Sequence, residues 1–307
     1  MKILISGGSG FIGRYLTSEL IRDHKVIVLG TQKDTSHAFT LEHKKIPYLF
    51  CDYSFEKLTV ICREHKPDAF INLAAIRPGS AADTPENYYA NLWIAANIYE
   101  ACHKNDIKNM VDISTRMVYS LSEPVPWRET LQITPVNLYG LSKVWAEQAA
   151  GYFNKKGMYI KTLRLAQVIG LGERDGFALQ IYLKNANQGL PLKVLGKNLG
   201  RRQYVYAKDV SSAINAALHK PELSGIFNIG MQQVYSFADL AKTINKAFGN
   251  QSEIILEPES PADESVYHMS IEKARKKLDW KPRYDLEKTY SDIKKDIETL
   301  SLNNRIL

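Results

Sequence analysis

Cysteine is scarce in this chain. Its three thiols, Cys51, Cys62 and Cys102, form no CxxC pair, and an odd, scattered set reads as reduced, buried residues rather than a disulfide frame. The seven histidines fall in no HExxH or comparable spacing, so no metal site is expected. No apolar run approaches the ~20 residues a helical membrane span needs. The first one, Ile3-Leu4-Ile5, is too short for a secretory signal and runs straight into glycines. Internal repeats and low-complexity linkers are absent. So is any basic stripe interleaved with aromatics, and the net charge of +7 is carried in part by KARKKLDWKPRYDLEKTYSDIKKDIE, where both signs alternate as on a solvated helix face. These absences point to a soluble, cytoplasmic protein with neither a membrane nor a nucleic acid as partner. A modest positive excess also suits an enzyme of anionic ligands.

What is present is a rhythm. KILIS (2–6), KVIVL (25–29), IPYLFC (46–51), AFINLA (69–74) and NMVDIS (109–114) are short apolar runs of the kind that form strands buried on both faces. Between them lie stretches of helical period. In FIGRYLTSELI, Phe11, Ile12, Tyr15, Leu16 and Leu20 share a face; EKLTVICREH, NYYANLWIAANIYEACHKN and NLYGLSKVWAEQAAGYFNKK follow the same pattern. Strand–helix alternation predicts an α/β fold with a doubly wound parallel sheet of Rossmann type. After about residue 165 the rhythm breaks into longer loops, and SFADLAKTINKAF, with Ser236 and Asp239 at capping-box spacing, SIEKARKKLDW and DLEKTYSDIKKDIETL read as helices. This gives a dinucleotide-binding domain over 1–165, with 203–230 as a candidate return segment, and a smaller substrate-binding α/β lobe over 166–307.

GGSGFIG (7–13) joins the first strand to the first helix. It can be read as Gly8-x-Gly10-x-x-Gly13 or as Gly7-x-x-Gly10-x-x-Gly13. Glycines there allow a tight turn, close approach of a pyrophosphate and close packing of helix on strand, while the helix N-terminus offers free N–H groups to the phosphates. The acidic residue that holds the ribose of NAD at the end of the second strand is missing. Gly30 stands in its place and Lys33 follows, a pairing that favours NADP over NAD.

ISTRMVY (113–119) places Thr115 at a strand end, where ligands of a doubly wound sheet bind. Tyr139 and Lys143, in YGLSK, are i and i+4 on one helix face. A free phenol, of pKa ~10, is a poor base at neutral pH. A neighbouring ammonium favours the phenolate and lowers that value. Tyr139 then exchanges a proton with a sugar hydroxyl or ketone, Thr115 hydrogen-bonds the same oxygen, and Lys143 also holds the cofactor ribose.

On these motifs the chain resembles the extended short-chain dehydrogenases/reductases of the NAD-dependent epimerase/dehydratase family, over nearly its whole length. GGSGFIG, INLAA (71–75), ISTRMVY, YGLSK, RRQYVYAKDV (201–210), FNIG (227–230) and KARKKLDWKP (273–282) carry the resemblance. It implies a nucleotide-sugar substrate and a catalytic set of Thr115, Tyr139 and Lys143. It implies a cofactor site made by Gly7, Gly10, Phe11, Ile12 and Gly13 of the loop. Lys33, Asp52 and Tyr53 would lie on the adenosine side, Leu73, Ala74, Ala75, Arg77, Asn91 and Ser114 further along, and Tyr139 and Lys143 would touch the cofactor as well. Gln167 and Arg202, with Thr115, are the implied substrate contacts.

The family's dehydratases follow the threonine with Asp-Glu. Here Arg116 and Met117 stand there, and neither can do that acid–base work. The resemblance therefore leaves two readings. The first is an NADP-linked reductase of a 4-keto-6-deoxy nucleotide sugar, in deoxysugar or surface-polysaccharide biosynthesis. The second is a nucleotide-sugar 4-epimerase with tightly held NAD. A non-catalytic dinucleotide sensor is a third, disfavoured by the intact Thr115, Tyr139 and Lys143. Family members often pair through the YxxxK helix and the one before it, so a homodimer is expected, with Trp93, Ile94, Ile98 and Trp145 as candidates for its face.

Overall fold

The structure is a computed structural model and describes residues 1–33, 39–41, 44–77, 84–135, 137–173, 178–262 and 264–302. The chain opens with β1 (Lys2–Ser6), α1 (Phe11–Leu20) and β2 (Lys25–Gly30). An antiparallel pair, β3 (Phe39–Leu41) and β4 (Lys44–Ile46), precedes β5 (Tyr48–Phe50) and α2 (Phe55–His65). Then come β6 (Ala69–Asn72), α3 (Pro85–Lys104), β7 (Asn109–Thr115), α4 (Leu138–Lys155) and β8 (Tyr159–Leu165). The remainder runs β9 (Gln167–Ile169), α5 (Ala178–Asn187), β10 (Leu192–Leu195), β11 (Arg201–Tyr206), α6 (Ala207–Leu218) and β12 (Gly225–Ile229). It ends with β13 (Val234–Tyr235), α7 (Phe237–Phe248), β14 (Ile254–Glu257), β15 (Val266–Tyr267), α8 (Glu272–Lys277) and α9 (Leu286–Leu302).

Seven parallel strands make the main sheet, in the order β12-β8-β7-β6-β1-β2-β5. The order reverses between β1 and β6, which opens a crevice above their C-terminal ends, the place where such sheets bind ligands. Alternation along β1 assigns its two faces. Ile3 and Ile5 pack with Leu16 of α1 and Val210 and Ile214 of α6. Leu4 packs on the other face with Leu58 of α2, Ile98 of α3 and Ala146 of α4. With every strand covered on both sides, the apolar runs read from the sequence are a physical necessity. The run 46–51 is the exception. Ile46 belongs to β4 and the strand resumes at Tyr48, because Pro47 between them cannot donate to a ladder; its carbonyl accepts from Val28 N instead.

The C-terminal half returns to this sheet. β12 joins it beside β8, and α6 lies against α1. A second group of strands, with β11 pairing β9, β13 and β15, supports a separate apolar cluster around Tyr204, Leu240, Ile244 and Tyr290. Ser236 and Asp239 form the capping box of α7, each side chain bonded to the other's backbone N–H. Helix α1 serves both units: Leu16 and Leu20 face the sheet, while Phe11 and Tyr15 reach the second cluster, and the Tyr15 hydroxyl accepts from Leu171 N at 2.8 Å.

Strand β8 carries Lys161 into the core with no exposed surface. Its ammonium donates to Asn109 Oδ1 and to the Lys220 carbonyl, and burial pushes its pKa down to about 7. The folded value lies below the unfolded one, so this lysine costs stability below pH 7 and the cost fades as pH rises towards the unfolded value. In urea unfolding the wild type should therefore gain up to ~1.4 kcal/mol per pH unit relative to Lys161→Met between pH 7 and 9, as the cost fades. Parallel profiles would mean that the lysine does not titrate there.

Candidate active site

Gly7 ends β1 in the left-handed region, at φ +69°, which a side chain rarely adopts. A Cβ on Gly13 would collide with the Gly7 carbonyl and the Gly8 backbone, so a glycine there lets α1 seat on β1. Gly10 caps α1 without a side chain over the helix end, leaving the first-turn amides open to an anion. Gly8 turns away: a Cβ there would press on Val28, and Gly8 does not line the crevice. Of the two glycine spacings, the structure builds Gly7-x-x-Gly10-x-x-Gly13 into the cradle, where a Cβ at Gly7 would press on the Leu73 backbone and one at Gly13 on the loop itself.

A cleft of about 810 Å³ opens above this loop. Thr115, Tyr139 and Lys143 all line it. Thr115 ends β7, and its Oγ1 accepts from Met117 N at 3.2 Å to start a single 3-10 turn. Asn137 caps α4, its side chain accepting from Gly140 N at 2.8 Å, which fixes Tyr139 in the first turn of that helix. A Cβ on Gly140 would collide with the Met117 carbonyl. Glycine there allows the helix of Tyr139 to approach the strand end of Thr115, and the ring of Tyr139 packs at 6.1 Å from that of Tyr88.

Lys143 is buried, one turn further along α4, and donates to the Ile113 carbonyl at 2.8 Å. Burial lowers its pKa, opposed by the carboxylates of Asp112 and Glu147. Asp112 is itself buried, which raises its pKa against Lys143 and against hydrogen bonds from Tyr99 and Asn72, both 2.7 Å. Glu147 forms a fork with Arg164, at 2.9 and 2.6 Å, and accepts from Ser114 Oγ at 2.6 Å. Arg164 also donates to the Tyr119 hydroxyl, which donates to Asn228. A polar seam thus runs beneath the cleft, and the field of its two acids acts on the ammonium of Lys143.

The cleft also gathers Phe11, Ile12, Tyr53, Leu73, Ala74, Ala75, Arg77, Ser114 and Gln167. Tyr53 is held by a bond from its hydroxyl to the Leu29 carbonyl. The hydroxyl of Ser114 donates to Glu147, so towards a ligand it can only accept. Arg77 makes a two-pronged pair with Glu173, at 2.9 and 3.1 Å, that spans the cleft between β6 and the segment after β9.

Four expected ligand contacts lie outside the cleft lining, each for a visible reason. Lys33 is exposed, with its ammonium 5.7 Å from the ring centre of Phe50. Asp52, also exposed, accepts from Ser54 N and Oγ at the start of α2. Asn91 is buried and clamps the loop after β6 by accepting from Ile76 N and donating to the Ile76 carbonyl. Arg202 is buried with its guanidinium over Phe237 at 4.7 Å and Tyr267 at 5.5 Å. Its neighbour Gln203 pins three chain segments by donating to the Met231 and Met269 carbonyls and accepting from Met269 N. Sequence reasoning missed Asp112, Glu147, Tyr48 and Glu173. An acid inside the apolar run NMVDIS was the one available signal, for Asp112.

A glycine cradle at the switch point of a parallel sheet, with a Thr-Tyr-Lys set beside it, defines a dinucleotide-binding oxidoreductase fold. Residues 3–230 match the model of the NAD dependent epimerase/dehydratase family, and the chain belongs to that family. It is similar to a UDP-N-acetylglucosamine 4-epimerase of Bacillus cereus of known structure, with 29% identity, 97% of this chain and 96% of that one covered, and a TM-score of 0.86. It is 29% identical to a UDP-glucose 4-epimerase of Lacticaseibacillus casei over 97% of this chain and 95% of the relative. It is 26% identical to a dTDP-4-dehydro-6-deoxyglucose reductase of Escherichia coli over 93% and 94%. The protein is accordingly an enzyme of the nucleotide-sugar epimerase, dehydratase and reductase group. No helix among the described residues is long and apolar enough to cross a membrane.

Proposed function

We propose that the protein is a nucleotide-sugar 4-epimerase that works with NAD, and that Thr115, Tyr139 and Lys143 are its catalytic residues. The observation that carries the redox reading is the convergence of these three side chains in the glycine-loop cleft. The cradle of Gly7, Gly10 and Gly13 suits a dinucleotide, and the nicotinamide, when bound, supplies a hydride acceptor and donor. Tyr139 takes the proton from a sugar hydroxyl and returns it after the sugar has turned over. Lys143, whose desolvation is opposed by Asp112 and Glu147, stabilises the phenolate through the field of its ammonium. Thr115 donates to the reacting oxygen. Arg116 and Met117, in the cleft beside Thr115, offer no acid–base pair for removing water.

Epimerisation ranks ahead of ketoreduction here because the case for NADP rested in part on Lys33, and that ammonium stands over Phe50 rather than at the cleft. The reductase reading retains one support, the absence of an acid at Gly30, together with the likeness to the 4-dehydro-sugar reductase.

The enzyme should interconvert C4 epimers of a UDP- or dTDP-hexose without added cofactor, in an assay read by chromatography of the sugars. Stoichiometric consumption of NADPH with a 4-keto-6-deoxy sugar nucleotide, and no epimer formation, would replace this reading with the reductase. We place the partner in a homodimer on the α3–α4 face, where Trp93 is 66%, Tyr89 46% and Tyr152 54% exposed. Trp145 stacks on Tyr89 at 5.8 Å on that face, whereas Ile98 is wholly buried in the core and drops out of it.

A further inference from the structure

Among the described residues, the end of β2 meets the cleft with no acid and, at the lining, no cation. Gly30, Thr31, Gln32 and Tyr48 form that part of the wall. In a doubly wound sheet this strand end faces the adenosine ribose, and the residue there decides between a 2′-hydroxyl and a 2′-phosphate. The glycine at position 30 has a specific cause. A Cβ built on Gly30 would collide with the Tyr48 hydroxyl and lie 2.9 Å from Tyr48 Cζ and 3.0 Å from Cε2. The tyrosine reaches across from the adjacent edge strand, where it pairs with Val28, and its hydroxyl is held by the Gln32 N–H at 3.1 Å. The ring therefore fills the volume that a strand-end carboxylate would take, and one backbone N–H that could have met a phosphate is committed to it. Lys33, the nearest candidate cation in sequence, is drawn to Phe50 on the surface.

We infer that Tyr48 closes the 2′ side of the adenosine ribose and selects NAD over NADP by occupying space, in place of the charge repulsion an acid provides. A 2′-hydroxyl fits beside a phenol; a phosphate, with three oxygens and a charge of about −2, finds the place filled. The inference rests on the dinucleotide reading above and adds to it the residue that sets cofactor choice.

The test loads the full-length protein from an equimolar mixture of NAD⁺ and NADP⁺, removes free nucleotide, releases the bound fraction with acid and quantifies both by chromatography. The wild type should carry mostly NAD. Tyr48→Ala should shift the ratio towards NADP by about ten-fold, the order expected when a filled pocket is opened. Tyr48→Phe, which keeps the ring, should hold the wild-type ratio. Gly30→Ala provides an independent route, since its Cβ must push the Tyr48 ring out; it should shift the ratio in the same direction, and should add nothing in the Tyr48→Ala background. A wild type that prefers NADP overturns the inference. So does an unchanged ratio in Tyr48→Ala, or in Gly30→Ala if the first variant does not fold. A shift in Tyr48→Phe as large as in Tyr48→Ala also overturns it, because the hydroxyl and not the volume would then be at work. A wild type that loads neither nucleotide would instead defeat the dinucleotide reading itself.

Discussion

Tyr139→Phe should lower turnover of the nucleotide sugar by about 10²–10⁴-fold, the span that general acid–base groups contribute. Dinucleotide should remain bound at the wild-type level, because the glycine cradle and Lys143 are untouched. The ring is retained, so its packing against Tyr88 persists and the melting temperature should move little. The measurement is kcat from a sugar-product assay beside the released-nucleotide content of the same preparation. Turnover within a few-fold of wild type would remove Tyr139 from the chemistry. A regulator that merely senses dinucleotide would show no turnover in either form, so the result also separates the enzyme from that alternative.

Glu147→Gln should unfold at much lower denaturant, with a loss of about 3–5 kcal/mol, because it strands the Arg164 guanidinium in the core. Both side chains are about 1% exposed. The neutral amide can take one bond from the arginine but cannot balance its charge, and the Ser114 hydroxyl loses its strongest acceptor. Replacing both partners by apolar residues, Glu147→Met with Arg164→Met, should recover part of the loss, since buried ion pairs often stabilise no more than a hydrophobic pair of similar volume. Urea unfolding of the three variants measures this. A single-variant loss below about 1 kcal/mol would mean that water or another group compensates Arg164. The pair also bears on catalysis, because Glu147 is one of the two acids that oppose the desolvation of Lys143.

Much of the fold could be read from the chain because a parallel sheet covered on both faces demands apolar strands, and the early ones comply. Strand β8 could not. YIKTLRL holds Lys161, Thr162 and Arg164, all at most 2% exposed, and burial of the two charges depends on partners elsewhere in the chain: Asn109 for Lys161, Glu147 and Tyr119 for Arg164. Local pattern registers a charge as surface; only the assembled sheet supplies the acceptor. The site divides in the same way. Thr115, Tyr139 and Lys143 could be read because strand end and helix spacing place them, and the loop glycines because backbone geometry requires them. Arg202 and Asp52 could not be placed, because a guanidinium over aromatic rings and a carboxylate turned back on Ser54 are outcomes of packing. Gly30 could be read only as a missing acid, which pointed to NADP; that the glycine also makes room for a tyrosine 18 positions later was not legible.

The path of the chain through β9, β11, α6 and β12 has a mechanical corollary. The polypeptide leaves the main sheet after β8, comes back as α6 to cover α1, occupies the sheet edge as β12, and departs again. Several peptide links, not one, tie the main sheet to the second group of strands. A protease cut within the outer excursion would leave the pieces entwined, and any breathing of the cleft must bend all of these connections together.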